Sequence, residues 1–232
     1  MKIFAISDLH LSFGTNKPMD IFGKNWENYL DIIVDDWNAK VSDDDVVLVA
    51  GDISWAMKLE DTKQDFEFLG KLKGKIFIIK GNHDYWWNSV SAVRRVLPPN
   101  VMAIQNDAFK VGDFIICGTR GWTVPEDGAV QTPEDKKIYL REIIRLDLTL
   151  NAAKNLQKNG EKIIVMMHYP PVNTKRTDSD FSTLLEKYGA SAIVYGHLHG
   201  NNIRKDLIFE KNGVKYFLTS CDQLGNKLRI IS

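Results

Sequence analysis

The amino-acid sequence predicts an α/β protein in which several parallel strands end at one cluster of polar side chains. Apolar runs at residues 2–7, 45–50 and 75–79 have the length of buried strands, and segments with helical spacing separate them. This alternation of strand and helix predicts parallel pairing through right-handed crossovers. Each run is followed at once by polar residues that can bind a metal, and strand ends are where α/β proteins place their chemistry.

The composition is that of a globular protein and argues against several kinds of partner. The chain has 232 residues, of which 44% are hydrophobic and 26% charged, and its 30 basic residues balance its 30 acidic ones. The absence of a global basic field disfavours nucleic-acid binding, although a local patch is not excluded. No apolar run approaches the ~18 residues of a bilayer span. The first apolar run meets a charged residue too soon to be the apolar region of a signal peptide.

The two cysteines, Cys117 and Cys221, lie far apart and in apolar surroundings. This spacing argues against a disulfide framework or a zinc knuckle, so we expect both thiols to be buried. We therefore expect a cytoplasmic protein without an obligate protein partner. No linker or repeat divides the chain, which predicts one domain over residues 1–232.

The remaining segments complete the predicted order of elements. Helices are predicted at residues 25–39, 58–72, 86–96, 134–158 and 181–188. Further strands are predicted at 101–104, 108–111, 114–117, 162–167 and 191–195, with 108–111 and 114–117 forming a hairpin. Residues 118–133 are typical of a surface loop, and the β-rich runs within 203–231 suggest antiparallel strands of a second sheet.

All five histidines follow directly after a strand-like run, and none lies in a helical pattern. A single histidine of this kind is more often structural than a metal ligand, but five of five is difficult to explain that way. An acid or an amide occupies three equivalent positions. The cluster consists of His10, His83, His168, His197 and His199, together with Asp8, Asp52 and Asn82.

Imidazole, carboxylate and amide ligands suit divalent or trivalent ions such as Mn, Fe, Zn, Co or Ni. The candidate ligands outnumber what one tetrahedral site holds, so we expect two ions with a carboxylate between them. A closed structural zinc site is disfavoured because no cysteine is near the cluster.

Five ordered motifs in this chain resemble those of the calcineurin-like metallophosphoesterase superfamily. They are Asp8-x-His10, Gly51-Asp52, Gly81-Asn82-His83-Asp84, His168 and Gly196-His197-x-His199. Their order and their positions at strand ends match, and they span most of the chain. The resemblance implies a four-layer α/β/β/α sandwich, with two mixed β-sheets flanked by helices and a metal site at the C-terminal ends of strands.

The resemblance also implies a role for each residue. The first metal would be held by Asp8, His10 and His199. The second would be held by Asn82, His168 and His197. Asp52 would bridge the two ions, and a hydroxide shared by them would attack phosphorus. His83 would bind no metal and would protonate the leaving group, an effect worth roughly 10²–10⁴-fold. Asp84 would either cap the following helix or orient His83, and we favour the cap.

The predicted function is therefore hydrolysis of small phosphoric esters. The segment His168-Tyr169-Pro170-Pro171 is similar to the His-x-Pro-Pro segment of bacterial cyclic-nucleotide phosphodiesterases. A phosphodiester is the first expectation, followed by phosphomonoesters and nucleotides. Ile53-Ser54-Trp55, which follows Gly51-Asp52, departs from the protein phosphatases of the superfamily. The alternative is a non-catalytic, metal-stabilised scaffold for protein interactions, but an intact ligand set that retains His83 favours the hydrolase.

Three further residues are candidates for substrate binding, and each has a structural alternative. Trp86 would stack on a planar group of the substrate, or else pack in the core, which the area of a tryptophan favours. Arg120 would bind phosphate through its guanidinium, or else form a salt bridge. Tyr169 adjoins the candidate ligand His168. The sequence leaves open whether the 118–133 loop closes over the site.

Overall fold

The computed structural model describes residues 1–15, 17–200 and 206–232, which form eleven strands and five α-helices. The strands are β1 (Ile3–Ile6), β2 (Val46–Val49), β3 (Lys75–Ile78), β4 (Val101–Ala103), β5 (Ala108–Val111), β6 (Phe114–Thr119), β7 (Lys162–Met167), β8 (Ala190–Tyr195), β9 (Ile208–Lys211), β10 (Val214–Leu218) and β11 (Arg229–Ile230). The helices are α1 (Tyr29–Lys40), α2 (Lys63–Gly70), α3 (Val90–Val96), α4 (Pro133–Leu156) and α5 (Asp180–Lys187).

The strands form two mixed sheets. The first has the order β11-β1-β2-β3-β4, in which β1 to β4 are parallel and β11 is an antiparallel edge strand. The second has the order β5-β6-β7-β8-β10-β9, in which the four central strands are parallel and the two edge strands are antiparallel. The parallel pairing predicted from the alternating pattern is confirmed.

The side chains of the central strands are buried on both sides, which explains their continuous apolar runs. In β1, Ile3 and Ala5 point into the layer between the two sheets, whereas Phe4 and Ile6 point toward the helices. Helices α1, α2 and α3 cover the first sheet, while α4 and α5 cover the second. The molecule is therefore the four-layer α/β/β/α sandwich that the sequence resemblance implied.

Several boundaries differ from the predictions. The predicted helix 58–72 is a single 3₁₀ turn at Leu59–Thr62 followed by α2. The predicted helix 86–96 begins only at α3, whose N-cap is Ser89, because residues 84–89 are held in an irregular loop by contacts described below. The helix predicted at 134–158 begins at Pro133, after the Thr132 cap, and ends at Leu156.

The prediction for the C-terminal tail is correct only in part. Strands β9 and β10 form an antiparallel hairpin in the second sheet, but β10 also pairs in parallel with β8. The last run, β11, pairs with β1 in the first sheet instead. Residues 203–205 of the predicted run lie outside the described residues. The tail thus links the two sheets. The pairing of β11 with β1 is long-range, and no local sequence pattern encodes it.

Two smaller expectations concern the cysteines and the membrane. Cys117 and Cys221 are free and fully buried, as predicted. Within the described ranges, no helix combines the length and the apolarity that crossing a bilayer requires.

Candidate metal centre

The parallel strands of each sheet end at the same level and bring the predicted site residues together. In the first sheet Ile6 pairs with Val49, and Val49 with Ile78, so the residues after β1, β2 and β3 lie side by side. In the second sheet Met167 pairs with Tyr195, which aligns the ends of β7 and β8. Both sets face one edge of the sandwich, as expected for an α/β protein.

The backbone turns sharply where these strands end. Asp8, His10, Asp52 and His197 all have positive φ values, of 60°, 46°, 51° and 71°. A left-handed conformation of this kind costs a non-glycine residue about 1–3 kcal/mol, and such strain is typical of functional sites. The tight turns bring the four side chains back over the strand ends.

Two glycines allow the loops to approach one another. A Cβ atom on Gly81 would collide with the carboxylate of Asp52, and one on Gly196 would collide with the carboxylate of Asp8. Both glycines lie in motifs that the sequence singled out. Their lack of a side chain lets backbone pack directly against the acids.

The first group of candidate ligands is Asp8, His10 and His199, whose ligand atoms all lie within 4.8 Å of one another. His199 Nε2 is 3.2 Å from Asp8 Oδ1. Asp8 is fully buried, and the backbone N–H of His197 donates to both of its oxygens at 3.1 Å. The His10 ring is also buried, and its Nδ1 has no hydrogen-bond partner.

The second group surrounds Asn82. His168 Nε2 lies 2.6 Å and His197 Nδ1 lies 2.8 Å from the Oδ1 atom of Asn82. His168 also forms a compact group with Asp8 and Asp52, and its Nε2 is 3.5 Å from Asp52 Oδ2. The same oxygen of Asp52 lies 3.8 Å from His10 Nε2. Asp52 therefore lies between the two groups.

The arrangement of donors and acceptors fits a cation. His168 Nδ1 lies 3.0 Å from the carbonyl oxygen of Ala50, to which it donates, so the lone pair of its ring is on Nε2. That lone pair points at the oxygen of Asn82, which is also an electron-pair donor. Electron pairs that converge in a buried site, together with the unpaired Nδ1 atom of His10, are what a metal ion satisfies.

The pKa shifts of the buried residues also favour a bound cation. Burial lowers the pKa of His10 to about 3 and that of His168 to about 4, so both imidazoles are neutral, as metal ligands must be. Burial raises the pKa of Asp52 to about 9, and the charges of Asp8 and Asp84 act in the same direction. A cation beside these carboxylates would reverse that shift, since it favours the ionised form.

Asp8 and His199 differ from this pattern because they interact directly. Burial alone would raise the pKa of Asp8, but the hydrogen bond with His199 and the nearby histidine charges hold it well below its ordinary value. Burial lowers the pKa of His199, but its hydrogen bonds to Asp222 and Asp8 outweigh this effect and raise the pKa to about 10. A metal bound there would have to displace the proton of His199.

His83 lies at the edge of the cluster and belongs to neither group. Its ring centroid is 5.6 Å from that of His10 and 4.7 Å from that of Trp55. Its backbone N–H donates to Asp52 Oδ1 at 2.8 Å, and its Nδ1 has no hydrogen-bond partner. Burial lowers the pKa of His83. The imidazole thus adjoins the candidate ligands, and its Nδ1 is buried without a partner.

Two residues that support the cluster were missed by the sequence reasoning. Asp222 Oδ1 lies 2.8 Å from His199 Nδ1, and its Oδ2 accepts the backbone N–H of Gly200 at 3.1 Å. The ring of Trp55 stacks on that of His10 with centroids 4.7 Å apart. The signal for Asp222 was present, since it follows β10 as the other acids follow their strands.

Asp84 has neither of the two roles considered for it. Its carboxylate is fully buried and accepts from the backbone N–H groups of Gly81, Ile53 and Ser54 at 2.7, 2.9 and 3.2 Å. The cap of the next helix is Ser89, so the preference for a helix cap was wrong. Asp84 instead ties together the loops that follow β2 and β3.

Trp86, the proposed stacking platform, is fully buried. Its ring packs edge-on against Phe66, 5.2 Å away, and its Nε1–H donates to Asp84 Oδ1 at 3.1 Å. No face of this ring is open to a substrate. The stacking role considered for Trp86 was therefore wrong, and core packing, which the sequence favoured, is correct.

Arg120 forms the ion pair considered as its alternative. Its Nη2 is 3.4 Å from Glu142 Oε1, and its guanidinium lies 4.8 Å from the centroid of the Trp122 ring. The side chain lines a cavity against α4 whose described lining includes no residue of the histidine cluster. The expectation that Arg120 binds the substrate phosphate is therefore not supported.

Tyr169 lies next to the cluster. Its ring centroid is 4.1 Å from that of His197, and both residues line a cavity of about 300 Å³. Most of the exposed lining of this cavity is apolar, with contributions from Val124, Val172 and Phe209.

The 118–133 segment forms the outer wall of the same cavity. Apart from Gly118 and Thr119, which belong to β6, and Pro133, which begins α4, it lacks regular structure, as predicted. Glu126 accepts from the N–H and the hydroxyl of Thr174 at 2.9 and 2.7 Å, and Asp127 pairs with Lys175 at 3.1 Å. These contacts hold the loop against the segment after β7.

Most of the chain is similar in sequence to one known protein family. A profile of the calcineurin-like phosphoesterase family matches residues 1–201. A probable cyclic nucleotide phosphodiesterase of Coxiella burnetii is 26% identical over 215 residues, which cover 87% of this chain and 77% of that protein. A probable cyclic nucleotide phosphodiesterase of Vesicomyosocius okutanii is 27% identical over 200 residues, which cover 80% and 74%.

Solved structures share the fold at low sequence identity. A Thermus thermophilus protein superposes with a TM-score of 0.56 at 12% identity, over 99% of this chain and 97% of that one. A protein of unknown function from Aquifex aeolicus gives a TM-score of 0.52 at 11% identity, over 99% and 95%. At these identities the likeness concerns the fold alone.

Proposed function

The chain belongs to the calcineurin-like phosphoesterase family, and we propose that it is a metal-dependent phosphodiesterase for small substrates, with cyclic nucleotides the first to test. Family membership makes it a hydrolase acting on ester bonds. The choice of a diester rests on the two relatives named as probable cyclic nucleotide phosphodiesterases and on the His168-Tyr169-Pro170-Pro171 segment.

The observation that carries the proposal is the pair of ligand groups on either side of Asp52. Asp8, His10 and His199 would hold one ion, and Asn82, His168 and His197 the other. The oxygen of Asp52 that lies 3.8 Å from His10 Nε2 and 3.5 Å from His168 Nε2 would be shared. Two ions bound there would bind the phosphoryl oxygens, lower the pKa of water and neutralise charge in the transition state.

The residues of the chain would prepare the site for this chemistry. The carbonyl of Ala50 fixes the tautomer of His168, and Asp222 orients His199, so that both rings present a nitrogen to the ions. The buried Trp26 and the half-buried Trp55 pack against His10 and shield one side of the first group from water. Such a setting strengthens electrostatic stabilisation of the reacting phosphoryl group.

His83 would deliver the proton to the leaving alkoxide. Its position beside His10 and outside both ligand groups supports this role. On the other side of the cluster, the cavity lined by Tyr169 and His197 would receive the organic part of the substrate. Its apolar lining and its volume of about 300 Å³ suit a compact planar group.

The experiment that tests the proposal separates metal binding from proton transfer. Asp52→Asn should abolish metal-dependent hydrolysis of a nitrophenyl phosphodiester and reduce the metal content measured after dialysis. His83→Ala should lower turnover by roughly 10²–10⁴-fold while the metal content stays at the wild-type level. If His83→Ala instead emptied the site, the division of roles between His83 and the ligands would be wrong.

A screen of substrates and metals decides whether the protein hydrolyses diesters, hydrolyses monoesters or is a non-catalytic scaffold. Monoesters, diesters and cyclic nucleotides should be offered with each of Mn, Fe, Co, Ni and Zn. Faster hydrolysis of the diesters supports the proposal, and a preference for monoesters contradicts the substrate assignment. A folded, metal-loaded protein that turns over none of them would favour the interaction scaffold.

A further inference from the structure

A second cavity, of about 250 Å³, lies where the ends of β3 and β6 meet α4. We call it the basic cavity. Its described lining contains four cationic side chains and one carboxylate, that of Glu142, which leaves a formal excess of three positive charges. The cations are Lys80, Arg120, Arg141 and Arg145.

The single carboxylate cannot neutralise this charge. Glu142 is fully buried, and its Oε1 is the shared partner of the arginines, at 2.7 Å from Arg145, 3.4 Å from Arg120 and 3.6 Å from Arg141. Its Oε2 accepts from the hydroxyl of Thr119 at 3.2 Å. Both oxygens are therefore already occupied, and like charges held this close together repel one another.

The polar groups of the cavity are also incompletely satisfied. The Nε–H of Arg120 is buried and has no hydrogen-bond partner. Lys80 Nζ donates to a neutral acceptor, the carbonyl oxygen of Trp87, at 2.8 Å. A buried donor without an acceptor costs about 1–3 kcal/mol, so the site favours an oxygen-rich anion that accepts from it.

The basic cavity is distinct from the candidate metal centre. Among its described lining residues, none belongs to the histidine and carboxylate cluster. The connection runs through the backbone, since the carbonyl of Arg120 accepts the N–H groups of His168 and Tyr169, both at 3.0 Å. The two sites are thus neighbours that do not share side chains.

We propose that the basic cavity binds a phosphate-class dianion. Its volume of about 250 Å³ equals roughly eight waters at about 30 Å³ each, which is enough for a phosphate or pyrophosphate group. Guanidinium groups match such oxygens in geometry as well as in charge. The ligand is either the free inorganic ion or the phosphate end of a nucleotide, because both present the same charged oxygens.

The test measures phosphate binding to the metal-loaded protein by titration calorimetry at constant ionic strength. One arm uses inorganic phosphate and the other uses 5′-AMP. The variant is the double substitution Arg141→Gln with Arg145→Gln, which removes two cations outside the proposed catalytic machinery. The matched control is Arg95→Gln, an exposed arginine on α3. Because inorganic phosphate can also bind the metal centre as an anion, and 5′-AMP is a monoester product of the proposed reaction, the inhibition constant of each for diester hydrolysis is measured separately.

The expected result is a binding event in the wild type that weakens at least about tenfold in the double variant and stays unchanged in Arg95→Gln. Both inhibition constants should remain the same in all three proteins. If the event that weakens in the double variant is seen with both ligands, the site takes any phosphate group, whereas an event of this kind with 5′-AMP alone assigns the site to nucleotides.

Three outcomes would overturn the proposal. They are equal binding in the double variant, an equal loss in Arg95→Gln, or a single binding event in the wild type whose affinity matches the inhibition constant of the same ligand. If the double variant unfolds, the single substitution Arg141→Gln serves instead, since this side chain is 52% exposed. An absence of diester hydrolysis would contradict the proposed function but would leave the calorimetric comparison valid.

Discussion

Asp222 offers the sharpest test of how the cluster is built, because it supports a candidate ligand without belonging to either group. Its Oδ1 lies 2.8 Å from His199 Nδ1, and its Oδ2 accepts the N–H of Gly200 at 3.1 Å. Asp222→Asn keeps the size and shape of the side chain but removes its charge. It also replaces Oδ2, the acceptor for Gly200, with an amide NH₂ group that cannot accept.

The magnitude follows from these two contacts. A hydrogen bond with a charged partner contributes about 1.5–3 kcal/mol and a neutral one about 0.5–1.5 kcal/mol, so the His199 contact loses about 1 kcal/mol. The unsatisfied Gly200 N–H adds a cost of about 1–3 kcal/mol. Groups that orient metal ligands typically account for 10–100-fold in metal affinity, which equals about 1.4–2.7 kcal/mol. We therefore expect Asp222→Asn to weaken metal binding about 10–100-fold.

The assay is reconstitution of metal-stripped protein with Mn²⁺, followed by hydrolysis of a nitrophenyl phosphodiester. The Mn²⁺ concentration for half-maximal activity should rise about 10–100-fold, while the KM for the substrate at saturating metal stays unchanged. Asp31→Asn, the same change at an exposed position on α1, should behave as the wild type does. If the activation curves of Asp222→Asn and the wild type coincide, Asp222 does not orient a metal ligand.

Three further predictions concern stability. Asp84→Ala removes the acceptor of three backbone N–H groups and should cost roughly 3 kcal/mol or more in urea unfolding; Asp84→Asn, which keeps one oxygen, should cost less. Ile164, buried between the sheets, should lose about 2–5 kcal/mol on substitution by Ala and only about 0.5–1.5 kcal/mol on substitution by Val. Glu161 accepts from Lys110, which with nearby N–H groups lowers its pKa from 4.5 to about 2. Its stabilisation is therefore present above pH 4.5 and is lost as the pH falls toward 2, so the Tm of Glu161→Gln should approach that of the wild type over that range.

Each of these predictions has a clear contrary result. Equal costs for Asp84→Ala and an exposed control such as Asp31→Ala would show that the N–H groups find other partners. A small loss of unfolding free energy for Ile164→Ala would mean that the two sheets move together and fill the cavity left by the side chain. A Tm difference for Glu161→Gln that does not change with pH would mean that the ionised carboxylate is not what stabilises the fold.

Local sequence determined the elements on which this protein depends. The apolar runs were long enough to be buried strands, and each stopped at a polar residue, so the positions of Asp8, Asp52 and His168 at strand ends could be predicted. Such features are encoded within a few residues of the chain. The parallel pairing of β1, β2 and β3 followed from the alternation of strands and helices.

Tertiary structure alone decided the features that depend on residues far apart in the sequence. The pairing of β11 with β1 joins the two ends of the chain, and no local pattern specifies it. Burial of Trp86, the three N–H groups gathered by Asp84 and the contact of Asp222 with His199 depend on how separate loops meet. The sequence also made Arg120 a candidate for anion binding. Only its packing against α4 places it beside Glu142 and in the basic cavity. A sequence shows which chemical groups a strand end presents, whereas the packing of distant segments decides what those groups contact.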